Sequence, residues 1–106
     1  MNDKLKNITR DIESIKKMMF EIGDMRPGSL TKQMRKAKEK YGAYWQLSYT
    51  HMGKGRTEYI KPEAIKQVKT EVANYKRYRK LSDRLVKLSI EKSRLKMELC
   101  KTPSLP

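Results

Sequence analysis

Among the residues of this sequence, the lysines and arginines have the spacing that best fits a binding site. One group recurs every three or four residues between 77 and 87, which places it on one side of a helix and lets it follow a row of phosphates. A second group lies at 32–40, and a third flanks the glycine at 55. Together these candidate phosphate-binding residues are Lys32, Arg35, Lys36, Lys38, Lys40, Lys54, Arg56, Arg77, Lys80, Arg84 and Lys87.

Each basic group also has a simpler interpretation. The group at 77–87 fits an ordinary solvated helix face, and Lys54 with Arg56 fits a polar turn. The alternative for the turn is a β-ribbon that enters the major groove, where arginine reads guanine. Aromatic residues nearby either stack on unpaired bases or form the layer between sheet and helix. Alternation assigns Trp45 to the core and leaves Tyr44 as the exposed candidate.

Catalytic and metal-binding signals are weak. His51 is the only histidine and Cys100 the only cysteine, and structural zinc usually needs four such ligands. The turn at 53–55 lacks the GxxxxGK[ST] pattern of a phosphate-binding loop. We therefore expect no enzyme, no cofactor, no metal and no small-molecule substrate.

Charge and length narrow the classes of protein. The chain has 106 residues and a net charge of +14, with 36% charged residues, which points to a nucleic acid, an anionic membrane surface or an acidic protein as partner. We rank the membrane last, because the basic stretches lack a bulky aromatic face. Neither a secretory signal nor an 18-residue apolar run is found, and a single cysteine suits a reducing, cytoplasmic setting.

The pattern of apolar residues and turn formers predicts an α+β, mainly helical protein. We expect a single domain over 1–101 and a disordered tail at 102–106. Its expected elements are a helix at about 3–23, a short basic helix at about 30–40, a β-hairpin at about 44–60 and a long helix at about 63–99.

Both long helices carry heptad seams, which predict a coiled-coil-like pairing. The first seam runs from Leu5 to Ile22, and the second runs from Tyr78 to Leu99 with Lys92 at one position. The second helix is the longer, so part of its seam is expected to remain uncovered by the first. We therefore expect a homodimer, in which a second copy covers the remainder.

The sequence also resembles a known domain family. It reads MRPGSLTKQ at 25–33, GAYWQLSYT at 42–50 and GKGRT at 53–57. These stretches are similar to a small uncharacterised family of bacterial, archaeal and phage mobile elements with the pattern MRPGSL…KQ…GPYW.LSYT…GK.RT. Members of that family often carry cysteines before GPYW, which suggests a zinc knuckle. The present chain has no cysteine there, and the resemblance then implies contact with nucleic acid but no zinc site.

The function expected from these features is non-enzymatic binding of nucleic acid, with DNA favoured over RNA. Basic helices would hold phosphates, and the hairpin would approach a groove. The alternative is a basic helical module that docks on an acidic protein or a ribonucleoprotein. A leucine seam at 81–99 that remains uncovered in a monomer would favour that alternative, whereas a dimer that hides the seam and leaves a continuous basic face would favour nucleic acid.

Overall fold

The computed structural model describes residues 2–34 and 43–100. Its elements are α1 (Asn2–Phe20), β1 (Ser29–Met34), β2 (Ala43–His51), β3 (Lys54–Ile60), a 3₁₀ turn (Pro62–Ala64) and α2 (Ile65–Leu99). The three strands form one antiparallel sheet in the order β1-β2-β3. The predicted α+β, mainly helical class is confirmed, with a helix at each end of the described chain and a hairpin between them.

The predicted short helix at 30–40 is wrong over its first half. Residues 29–34 form β1, which pairs with β2 from Ser29 opposite Ser48 to Met34 opposite Ala43. The neighbouring strand supplies backbone partners that outweigh the weak local preference of a lysine-containing segment. The rest of that predicted helix, with Arg35, Lys36, Lys38 and Lys40, lies outside the described residues, as does the predicted disordered tail at 102–106.

A two-residue turn joins β2 to β3. Met52 and Gly53 both have positive φ, at 52° and 78°, as the central residues of a type I′ turn do. This turn matches the twist of antiparallel strands, so β2 continues to His51 and β3 begins at Lys54, immediately beside the turn. The hairpin itself is confirmed.

The two faces of the sheet differ in what they contact. The closed face packs on the first turns of α2, where Leu47 is fully buried with Ile60, Val68 and Val72. Trp45 packs against this cluster, as its alternation with Tyr44 predicted. The open face is the opposite side, and strand register gives it Ser29, Thr31, Gln33, Tyr44, Gln46, Ser48, Thr50, Gly55, Thr57 and Tyr59.

Contacts divide the chain into two compact units. One contains the sheet and α2 up to Arg77, and the other contains α1 and α2 from Tyr78 onward. In the second unit the predicted seam of α1 is the buried side, with Ile8, Ile12 and Ile15 each no more than 6% exposed. The expected single domain over 1–101 stays a prediction.

Candidate nucleic-acid interface

The basic residues of α2 form a row on one side of that helix. We call Arg77, Lys80, Arg84 and Lys87 the basic stripe; all four are exposed, and they span about 15 Å of helix. Asp83 is the only acidic residue between Glu71 and Glu91. Within residues 2–34 and 43–100 none of the four makes an ion pair. Their charge is therefore available to an external anion.

The other described basic candidates do not form one cluster. Lys54 and Arg56 are exposed on β3 and lie near the hairpin turn, opposite His51 and Tyr49. Lys32 is exposed on β1 opposite Trp45, at the other end of the sheet. The sheet therefore carries basic side chains near two distant corners rather than one concentrated patch.

Tyr44 lies on the open face, where it belongs to a small polar and aromatic group. Its ring centroid lies 6.3 Å from that of Tyr59, with the rings tilted by 39°. The Gln46 amide donates a hydrogen bond of 3.3 Å to the Tyr44 hydroxyl. Tyr44 is half-buried, whereas Tyr59 is 57% exposed. Tyr59 is thus the more accessible aromatic ring, and sequence reasoning did not single it out.

The residues that carry the family resemblance have structural contacts. The Arg26 guanidinium lies 4.7 Å from the centre of the Tyr49 ring and forms an ion pair with Glu58. The Tyr49 hydroxyl donates a 2.9 Å hydrogen bond to the same carboxylate. Hydrogen bonds from Tyr49 and Arg26, with the positive charge of Arg26, lower the pKa of Glu58. This group ties the segment after α1 to the sheet.

Two further hydrogen bonds attach that same segment to α2. The backbone amide of Arg26 donates to the Glu71 carbonyl at 3.0 Å, and the Asn74 amide donates to the Asp24 carbonyl at 2.8 Å. Gly28 follows with φ of +138°, and a Cβ there would lie 2.9 Å from both the Leu47 side chain and the Ser48 carbonyl. The MRPG sequence therefore places the chain against β2, where only glycine fits.

The leucine seam of α2 is partly buried in the described chain. Leu81, Leu85, Leu88, Leu95 and Leu99 are all half-buried. The choice between a nucleic acid and a protein partner stays a prediction.

A different part of α2 exposes apolar side chains. Val86, Ile90 and Met97, which we call the outer strip, are 56%, 49% and 67% exposed. Shallow grooves along them are also lined by Ser89 and Ser93, whose small side chains leave room for a close neighbour. Sequence reasoning missed this strip, although a spacing of four and seven residues was a readable signal.

Comparisons of this chain with protein-family models, curated proteins and solved structures found no match. The resemblance to a mobile-element domain family stays a prediction. Among the described residues, no helix is long and apolar enough to cross a membrane. The same part of the chain contains no group of three or more His, Cys, Asp or Glu side chains able to hold a metal ion.

Proposed function

We propose that this protein is a non-enzymatic nucleic-acid-binding protein that holds the phosphate backbone, with DNA favoured over RNA. The observation that carries the proposal is the basic stripe, in which four exposed cations on one helix side have no ion-pair partner among the described residues. A net charge of +14 adds a general attraction for polyanions. Because the single cysteine suits a reducing compartment, we propose the cytoplasm as its location.

The mechanism is the release of counterions. Phosphates along duplex DNA hold condensed cations, and each lysine or arginine that neutralises a phosphate frees them. The logarithm of the binding constant then falls linearly with the logarithm of the salt concentration, with a slope of about −0.9 per phosphate contact. The stripe residues are spaced to contact neighbouring phosphates along one side of a nucleic acid. Such contacts position the ligand and carry no base sequence.

The test is a salt titration with two variants that lose the same charge. The stripe variant carries R77Q, K80Q, R84Q and K87Q, and the control carries K4Q, K6Q, K16Q and K17Q on α1, where all four lysines are exposed. Fluorescence anisotropy with a labelled DNA duplex is measured between about 50 and 200 mM salt. We expect the slope of log binding constant against log salt concentration to become shallower by up to about 3 to 4 in the stripe variant and by about 1 or less in the control.

Two results would contradict the proposal. One is an absence of binding to DNA and RNA at low salt, and the other is an equal loss in both variants, which would leave only bulk charge. Helical content by circular dichroism verifies that both variants are folded. A duplex of RNA with the same sequence tests the preference for DNA, because the narrow major groove of RNA excludes side chains.

A second copy of the chain is the proposed neighbour of the outer strip. The predicted homodimer needs an uncovered apolar surface, and Val86, Ile90 and Met97 supply one on the described part of α2. The alternative function, docking on an acidic protein or ribonucleoprotein, would use the same strip. The mass of the particle in solution separates them: a dimer that becomes a monomer in I90K supports self-association, and a monomeric wild type favours the other partner.

A further inference from the structure

The open face of the sheet has an unusual composition for an exposed surface of this protein. None of its residues is charged, although 36% of the chain is. Exposed positions of α1, by contrast, are mostly Lys, Arg, Asp and Glu. Apart from Gly55, every open-face residue carries a side-chain hydroxyl or amide. A surface that only faced water would be expected to share the charged character of the helices.

Hydrogen-bonding groups cover this face from one edge strand to the other. On β1 the Gln33 amide lies 3.2 Å from the Thr31 hydroxyl, and on β2 the Gln46 amide donates to Tyr44. Cross-strand neighbours of Gln46 are Thr31 on one side and Tyr59 on the other. The face therefore presents amide, hydroxyl and ring groups side by side, with Tyr59 as its most exposed aromatic.

This chemistry fits nucleobases better than phosphates. Glutamine pairs with adenine through two hydrogen bonds, Ser and Thr bond to several bases, and tyrosine rings stack on any base. A phosphate would need a cation, and the open face has none. Cations lie elsewhere on the sheet: Lys32, Lys54 and Arg56 have the register of the closed face but are exposed.

We propose that the open face contacts the nucleobases of a bound nucleic acid, with Tyr59 and Gln46 as its central contacts. The inference rests on the proposed function, since it assigns the bases to a surface distinct from the phosphate-binding stripe. The composition of the face supports this occupant: its hydroxyl, amide and ring groups match the hydrogen-bonding edges and flat faces of uncharged bases, in a chain whose net charge is +14. Contacts to unpaired bases and to base edges in a groove share this chemistry.

The experiment compares strands with and without bases. A single-stranded oligonucleotide, the same strand made abasic, and a duplex are titrated against the full chain. We expect wild type to bind the base-bearing strand on the order of tenfold more tightly than the abasic strand of the same length. This preference identifies unpaired bases as the ligand. Because the duplex also carries more phosphate charge, tighter binding of the duplex identifies groove edges only where it is lost when Tyr59 and Gln46 are replaced.

Variants then show which residues cause the preference for base-bearing strands. The double variant Tyr59→Thr with Gln46→Thr keeps residues that favour strands, and we expect it to lose the preference while its salt slope stays that of wild type. Lys32→Thr is the matched control on the other side of the sheet, and it should retain the preference and lose at most about one unit of slope. Tyr59→Phe keeps the ring and should also retain the preference.

Each contrary outcome has a defined meaning. Equal binding of abasic and base-bearing strands by wild type would overturn the inference while leaving the proposed function intact, and would assign the face to another occupant such as a protein strand. A preference that survives in the double variant would also overturn it. No binding to any strand would overturn both. Thermal unfolding of each variant shows whether it remains folded.

Discussion

The closed and open faces of the sheet come from the same three strands but have opposite roles. On the closed face, Leu47 is fully buried and Glu58 is held by Arg26 and Tyr49. On the open face, neighbouring positions such as Ser48 and Thr57 are exposed. The closed face carries the buried core of the sheet, while most positions of the open face are exposed.

The two faces should respond differently to substitution. Because side chains alternate between faces, adjacent residues on one strand belong to different surfaces. Changes at buried closed-face positions should lower the free energy of unfolding, whereas open-face changes should leave it nearly unchanged and affect binding. Paired substitutions at neighbouring or equivalent positions can therefore test the division directly.

The largest expected effect is at the centre of β2. Leu47→Ala removes a fully buried side chain, and we expect it to lower the free energy of unfolding by about 2 to 5 kcal/mol. Ser48→Ala, one residue along on the open face, should change it by about 0.5 kcal/mol or less. Urea denaturation measures both. Comparable losses of unfolding free energy at the two positions would mean that both faces contribute equally to stability.

An intermediate effect is expected for Gly28→Ala, with Gly55→Ala as its control. Gly28→Ala forces a Cβ to within 2.9 Å of the Leu47 side chain and the Ser48 carbonyl at φ of +138°, and should cost more than about 1 kcal/mol. Gly55 lies on the open face with nothing within 4 Å of an added Cβ. Gly55→Ala should therefore be close to neutral in the same denaturation assay. A neutral Gly28→Ala would contradict the close approach of this segment to β2.

The smallest expected effect concerns pH. Hydrogen bonds from Tyr49 and Arg26 lower the pKa of Glu58, so ionised Glu58 stabilises the folded state above its unfolded pKa. That contribution should disappear as the pH falls through the lowered folded value, below the ordinary glutamate pKa of about 4.3. Glu58→Gln should remove this part of the pH dependence, whereas Thr57→Val should retain it. Thermal unfolding at several pH values tests the pair.

Sequence patterns predicted the helices and the hairpin because these depend on local periodicity. The alternation around Leu47 indicates a strand with one buried side. Helical spacing is shown by the six residues of the first seam, which are Leu5, Ile8, Ile12, Ile15, Met19 and Ile22. The MRPGSL…LSYT resemblance did not reveal what those residues do. Arg26 and Gly28 act through contacts with β2, β3 and α2, which are distant in the sequence.

Strand β1 and the open face could not be predicted for a related reason. Leu30 is one of only two large apolar residues in β1, so basic residues dominated the sequence pattern at 30–40. The strand forms because this segment pairs with β2. The open face exists only once the register of three strands is known. Tyr59 joins Tyr44 through that register and not through proximity in sequence. The basic stripe, in contrast, was readable, because one continuous helix fixes its geometry.

The most direct test of the central claim is the salt dependence of binding for three proteins on one base-bearing oligonucleotide. In the proposed division, the basic stripe holds phosphates and the open face contacts bases. We predict that the stripe variant has a shallower slope, and that the Tyr59→Thr, Gln46→Thr variant has the wild-type slope with lower affinity at every salt concentration. Identical changes in both variants, or no binding by wild type at low salt, would contradict the account.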